Sequence, residues 1–365
     1  MRAVVAYLPG DGVGPEVGAE SVRALQAVAR RFGHQFDVRE ALIGGIAIDT
    51  HGAPLPSATL AVVEQADAVL LGAVGGPKWS DPTSAQRPEQ GLLALRRVLE
   101  TYANVRPVRL HAAGRAISPL RPERLDGVDL VIVRELTGGL YYGDKHRQPD
   151  GKGGEIAWET CTYSTTEIER VVRIAAELAR GRRRHLTSVD KANVLETSRL
   201  WREVTTRVML AEFPDITLEH AYVDAFAMHL VREPARFDVV VTENLFGDIL
   251  TDESAVLAGS IGLLPSASLG SVAPGGARRS GLYEPIHGSA PDIAGQGRAN
   301  PVGMILSAAM MLRYSFGLER EAACVEDAVT GTLDAGWLTP DLLPKGATAR
   351  STSEVGAEVA RRIME

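Results

Sequence analysis

The sequence predicts an α/β protein with a largely parallel sheet and crossover helices. Short apolar runs alternate with longer amphipathic segments throughout the first third of its 365 residues. That length exceeds one ordinary core of about 100 to 200 residues, so two domains or one large α/β body is expected. The alternation also breaks once, in a glycine-rich middle stretch that is not a βαβ unit.

In chain order, AVVAYL is followed by PEVGAESVRALQAVARRF, ADAVLLGAV by QGLLALRRVLETY, and VDLVIV comes later, each apolar run reading as a strand and each longer segment as a helix. Residues 136–163 hold six glycines among aromatic and β-branched residues and read as an extended arm or hairpin. Such an arm cannot bury itself alone, which predicts a partner subunit. FDVVV reads as a buried strand leading into a helix over TENLFGDILTDESA. From PSASLGSVAPGGARRSG onward the composition predicts a long loop.

A hydrophobic content of 45% suffices for a large core, and the net charge of -7 leaves no basic stripe, which disfavours binding to nucleic acid or anionic membranes. Two cysteines, Cys161 and Cys324, are too few for a disulfide or zinc framework and fit a reducing cytosol, hence a cytoplasmic protein. MRAVVAYLPG meets its Pro-Gly break too early for a signal peptide, and no stretch approaches the roughly 20 apolar residues of a membrane span.

LPGDGVGPEV sits between a strand and a helix, with Glu40 at a ribose-binding distance in sequence, but its glycines read G-x-G-x-G and Pro15 takes the last glycine position of a dinucleotide fingerprint. A tight turn fits better. GAVGGPKW is a poorer Walker loop still, since Lys78 precedes Trp79. Arg96, Arg106 and Arg134 lie near predicted element ends and suit a clamp for a polycarboxylate, because guanidinium pairs bidentately with carboxylate and stays charged. Asp248 and Asp252 share one helix face, where like charges repel by roughly 0.2 to 0.5 kcal/mol. With Asp224 they form an oxygen-rich set suited to Mg²⁺ or Mn²⁺, which would offset that repulsion. A structural ion pair is the alternative for Asp224 and for Lys191, which ends a predicted strand.

ENLFGDILTDESAVLAGSIGLLPSASLG, RELTGGLYYG, SVDKANVLETSRLW, HAYVDAFAMHLV and YEPIHGSAPDIAGQGRANP together resemble the isocitrate and isopropylmalate dehydrogenase family of β-decarboxylating dehydrogenases, in order and over nearly the whole chain. PEQGLLALR resembles the isopropylmalate branch. The resemblance implies a two-domain fold with a large mixed sheet flanked by helices, not a Rossmann fold. One domain would be 1–101 with 259–365 on the nucleotide side. The other, 102–258, would carry the arm, the metal and substrate residues and the contacts of a homodimer with shared active sites.

The implied reaction is NAD-dependent oxidative decarboxylation of 3-isopropylmalate in leucine biosynthesis. A related alkylmalate, tartrate or homoisocitrate dehydrogenase, or a non-catalytic homologue, is the alternative. Tyr141 and Lys191 would be catalytic. Glu89, Leu92, Leu93, Arg96, Arg106, Arg134, Asn193, Val194 and Asp224 would meet substrate. Gly76, Glu284, His287, Gly288, Ser289, Ala290, Asp292, Ile293 and Asn300 would meet NAD. Asp224, Asp248 and Asp252 would hold Mg²⁺ or Mn²⁺, with Lys191 and Asp224 supplied by the partner. Asp292 beside Ile293 favours NAD, because a carboxylate accepts from both ribose hydroxyls and repels a 2′-phosphate. Two departures from the family pattern, the basic loop SVAPGGARRSG and Val355 with Ala357, bear on the nucleotide-side loops only.

Overall fold

A computed structural model describes residues 1–81, 84, 86–272, 279–344 and 347–365. Its chain divides into two compact units: Met1–Thr101, Arg109–Pro119 and Ala258–Glu365 form the first, Tyr102–Val108 and Leu120–Leu257 the second. Arg109–Pro119, expected with the middle domain, groups with the first unit. The reason is local: a Cβ on Gly114 would stand 2.1 Å from the Ala258 carbonyl oxygen, so only glycine permits so close a backbone approach.

The strands in chain order are β1 (Arg2–Gly10), β2 (Gln35–Glu40), β3 (Ala68–Ala73), β4 (Ala103–Arg109), β5 (Asp129–Glu135), β6 (Lys145–Pro149), β7 (Glu155–Glu159), β8 (His185–Asp190), β9 (Thr217–Tyr222), β10 (Val239–Thr242), β11 (Pro265–Val272) and β12 (Arg279–Pro285). In the first unit they run in the order β2-β1-β3-β12-β11. Pairing is parallel at β1–β2, β1–β3 and β3–β12 and antiparallel at β11–β12, so this sheet is mixed. The helix Gly14–Phe32 crosses over between β1 and β2, as the sequence predicts.

In the second unit the order is β4-β5-β10-β8-β9, with parallel pairing at β5–β10, β10–β8 and β8–β9. β10 is buried at every position, which is why FDVVV lacks polar alternation. The arm forms the antiparallel ribbon β6–β7, exposed at every residue.

One expectation fails. PSASLGSV is the strand β11, not the start of a loop, because Ser266, Ala267, Ser268 and Gly270 are small enough to lie buried beneath the helix Val302–Tyr314. Residues 273–278, most of the basic loop SVAPGGARRSG, lie outside the described residues. Val355 and Ala357 sit on the helix Thr352–Met364, whose Ser351 and Glu354 form a capping box, and so belong to no loop. No helix among the described residues is long and apolar enough to cross a membrane.

Candidate active site

Sheet register sets the first group of residues. Thr242 at the end of β10 pairs with Arg134 on β5 and with Val189 on β8, so these carboxyl-terminal strand ends lie level. The helix Asn244–Ala255 starts immediately after and presents Asn244, Asp248 and Asp252 at four-residue intervals.

Arg134 is almost wholly buried and spans two of these residues. Its Nε and Nη2 donate to Asn244 Oδ1 at 3.1 and 2.8 Å, and its Nη1 pairs with Asp248 Oδ1. A Cβ on Gly247 would stand 2.5 Å from Arg134 Cγ, so glycine there lets the arginine stem cross the first helical turn. Tyr141 Oη donates to Asp248 Oδ2 at 2.6 Å, and the Arg134 guanidinium lies over its ring. Burial pushes the Tyr141 phenol up to about 12, with the Asp248 hydrogen bond and charge adding and Arg134 countering. Arg106 donates to Asn104 Oδ1 and Thr251 Oγ1, both at 2.7 Å, and approaches Asp252 Oδ1 at 3.6 Å. Each acid of the like-charged pair thus has its own guanidinium, and the repulsion is offset by the chain itself.

Lys191 follows β8, and its Nζ pairs with Asp224 Oδ1 at 2.9 Å; the hydrogen bond from Lys191 holds the Asp224 carboxyl below the usual range. The neighbouring Asp190 is fully buried, takes a bidentate pair from Arg202 and accepts from Ala192 N at 2.9 Å, which fixes the turn carrying Lys191. Asn193 and Val194 are exposed on that turn. Among the described residues no three His, Cys, Asp or Glu side chains converge, so within one chain Asp224 does not join Asp248 and Asp252.

In the first unit, helix Pro88–Val98 carries Glu89, Leu92, Leu93 and Arg96 on one face. Arg96 pairs with Glu284 at 2.9 Å, so two residues assigned above to different ligands hold one another. The Arg96 Nε is buried without an acceptor. Leu92 packs against a core cluster containing Leu8, Ile43, Leu71, Leu95 and Leu282; Leu93 is half-buried outside that cluster. Glu89 is exposed.

A cavity of about 500 Å³ is lined by His287, Gly288, Ala290, Ile293, Asn300 and Asp341, among others. His287 Nδ1 lies 2.9 Å from the Gly288 carbonyl oxygen and must donate to it, which makes Nε2 an acceptor; that atom is buried and unpaired. Burial lowers the His287 pKa and keeps the ring neutral. Asn300 donates to Asp341 at 3.1 Å. The Ser289 carbonyl accepts from Val13 N at 2.8 Å, and a Cβ on Gly12 would stand 1.9 Å from that oxygen. The glycines of LPGDGVGPEV therefore serve a close backbone approach, in agreement with the tight turn. Asp292 is exposed, while Gly76 is half-buried against Trp79.

Sequence reasoning missed Asn244, Asn104, Thr251 and Tyr163. Asn244 was within reach, since it lies four residues before Asp248 on the same face. The Tyr163 hydroxyl, which accepts from Asn244 N at 2.9 Å, gives no local signal across 81 residues.

The isocitrate/isopropylmalate dehydrogenase family model matches residues 4–359. The chain is 57% identical over 355 residues to the 3-isopropylmalate dehydrogenase of Anaeromyxobacter dehalogenans, covering 97% of this chain and 99% of that protein. It is 55% identical over 365 residues to that of Geobacillus kaustophilus, covering 99% and 95%. Among solved structures it resembles an isocitrate dehydrogenase from Methylococcus capsulatus, with a TM-score of 0.85, 34% identity and full coverage of both chains.

Proposed function

Because this chain belongs to the isocitrate/isopropylmalate dehydrogenase family, we propose that it oxidises 3-isopropylmalate at C2 and decarboxylates it to 4-methyl-2-oxopentanoate, in the cytoplasm and for leucine synthesis. The observation that carries this reading is the convergence of Arg134 and Tyr141 on Asp248, which sets a cation, an acid and a proton donor side by side.

Arg96, Arg106 and Arg134 hold the substrate carboxylates, fixing the C2 hydroxyl in one orientation and so lowering the entropic barrier. The buried, unpaired Nε of Arg96 leaves it one donor to give. Lys191 of the partner subunit, acting as the free amine, takes the hydroxyl proton, and Asp224 orients its Nζ from 2.9 Å. Tyr141 remains a neutral phenol at working pH and gives its proton to the carbon that loses CO₂. Leu92 and Leu93 face the isopropyl group, and Glu89 repels a third carboxylate. Asn193 and Val194 complete the substrate contacts.

The residues fit the groups such a reaction needs. Asp248 and Asp252, with Asp224 of the partner subunit, offer the hard carboxylate oxygens that Mg²⁺ or Mn²⁺ prefers, and such a cation supplies Lewis-acid stabilisation of negative charge on substrate oxygen. The cavity at His287 combines a buried acceptor with apolar walls, which suits the adenosine half of NAD, the hydride acceptor. Gly76, Glu284, Gly288, Ser289, Ala290, Ile293 and Asn300 complete that site, and Asp292 takes the ribose hydroxyls.

The test is a panel of initial rates read as reduced nicotinamide. The highest kcat/KM should belong to 3-isopropylmalate with NAD. A higher value for isocitrate, homoisocitrate or tartrate overturns the substrate, and a higher value with NADP overturns the cofactor.

A further inference from the structure

Asn244 is 1% exposed and uses both ends of its amide. Its Oδ1 takes two bonds from the Arg134 guanidinium, and its Nδ2 donates to the Gly138 carbonyl at 3.1 Å. Surrounding chemistry fixes the orientation, because guanidinium only donates and a carbonyl only accepts. Gly138 opens the short turn Gly138–Tyr142, on which Tyr141 sits. The same turn is braced by Glu135, whose carboxylate accepts from Thr137 N and Gly138 N at 2.7 and 2.8 Å, and by Gly139 N donating to the Thr162 carbonyl at 2.9 Å. The Tyr163 hydroxyl accepts from Asn244 N, holding the start of the helix against this turn.

We propose that Asn244 is a positioning residue whose single amide ties the substrate-binding guanidinium of Arg134 to the backbone turn that carries the proton donor Tyr141. No other side-chain type of this size performs both tasks. Aspartate keeps the acceptor for Arg134 but sets a second oxygen against the Gly138 carbonyl, and leucine serves neither partner. Asn244 touches neither substrate nor reacting atoms. It acts through two residues that do, and the inference therefore rests on the reaction assigned above.

Two substitutions separate the two ends of the amide. In Asn244→Asp, kcat should fall more than tenfold while KM for 3-isopropylmalate changes less than about threefold, since Arg134 keeps its acceptor and Tyr141 loses its register. In Asn244→Leu both should suffer, with KM rising about tenfold or more. In a Tyr141→Phe background Asn244→Asp should cost little further kcat, because its effect passes through the phenol. Crystal structures of wild type and Asn244→Asp give a readout independent of turnover: Arg134 should stay on residue 244 while Tyr141 leaves Asp248. Wild-type kcat in Asn244→Asp, an equal loss in the Tyr141→Phe background, or an unmoved Tyr141 in the variant crystal overturns the inference. An inactive wild type overturns the reaction alone, and the crystal comparison still decides the role of Asn244.

Discussion

The phenol of Tyr141 donates a 2.6 Å hydrogen bond to Oδ2 of Asp248, whose other oxygen pairs with Arg134. Burial is the first cause of the raised phenol pKa of about 12, and the Asp248 bond and charge come next. Removing a neighbouring negative charge lowers the pKa of an acid, so Asp248→Asn should bring the phenol down without restoring the value of free tyrosine. Ultraviolet difference titration against Tyr141→Phe measures this, and an unchanged midpoint would contradict it. Tyr141→Phe itself should lower kcat by about 10² to 10³, with a much smaller change in KM.

Asp248 and Asp252 should both be indispensable to turnover yet unequal in stability. The Asp252 side chain is 69% exposed, so Asp252→Asn should change the unfolding free energy by no more than about 0.5 kcal/mol. Asp248→Asn leaves the buried Arg134 without its carboxylate. The cost should be about 1 to 2 kcal/mol, below that of a fully buried pair because Asp248 is 37% exposed. Denaturant unfolding gives both numbers. Strong turnover in the presence of a chelator would remove the metal from the mechanism.

Leu92 and Leu93 should separate as well. Leu92 belongs partly to the core, so Leu92→Ala should cost about 1 to 2 kcal/mol of stability in addition to selectivity. Leu93→Ala should leave stability nearly unchanged and narrow the kcat/KM gap between 3-isopropylmalate and malates with smaller alkyl groups by about 1 kcal/mol or more. Equal losses of stability in the two variants would show that both leucines are packing residues.

Mixed dimers test the sharing of sites. Lys191→Ala and Tyr141→Phe chains, each severely impaired alone, should regain partial activity when co-expressed, because one of the two sites then has both groups intact. Verified heterodimers with no recovery would assign Lys191 and Tyr141 to the same subunit's site.

Much of this arrangement is legible in the sequence because it is written locally. Val239, Val240 and Val241 follow one another without a polar residue because β10 is buried at every position, and the four-residue spacing of Asp248 and Asp252 is visible wherever a helix is predicted. What is not legible depends on pairings across long stretches of chain. Arg96 meets Glu284 across 188 residues, and no periodicity announces it. β11 reads as a loop because Ser and Gly are turn formers in isolation, whereas close packing under a helix demands the same small side chains. The arginines read in sequence as a clamp for substrate; each also pairs with an acid of its own chain, a fact about folding energy that composition does not carry.

Glu243 supplies a prediction in pH. It precedes the first turn of the helix Asn244–Ala255, lies buried and accepts from Ser198 Oγ at 2.5 Å. Burial pushes its carboxyl up to about 7, with Ser198 countering and Asp190 adding. A folded-state pKa raised above the ordinary 4.5 means that the folded chain binds the proton more tightly. That stabilisation is complete below the unfolded value and is lost as pH rises through about 7. Wild-type stability should therefore decline across this window relative to Glu243→Gln, which keeps an acceptor for Ser198 and carries no charge. Parallel pH profiles for the two proteins in thermal unfolding would refute the assignment.

The recurrence of Asn244, Asp248 and Asp252 every four residues constrains chain length as well as residue identity. One residue inserted between them would rotate everything beyond it by about 100° and advance it about 1.5 Å, turning an acid off the shared face onto the flank of the helix. Insertions and deletions are thus forbidden over this nine-residue span even where individual side chains could be exchanged. The exposed turn between β6 and β7, at Asp150–Gly154, has no such phase to keep and can lengthen without disturbing the chemistry.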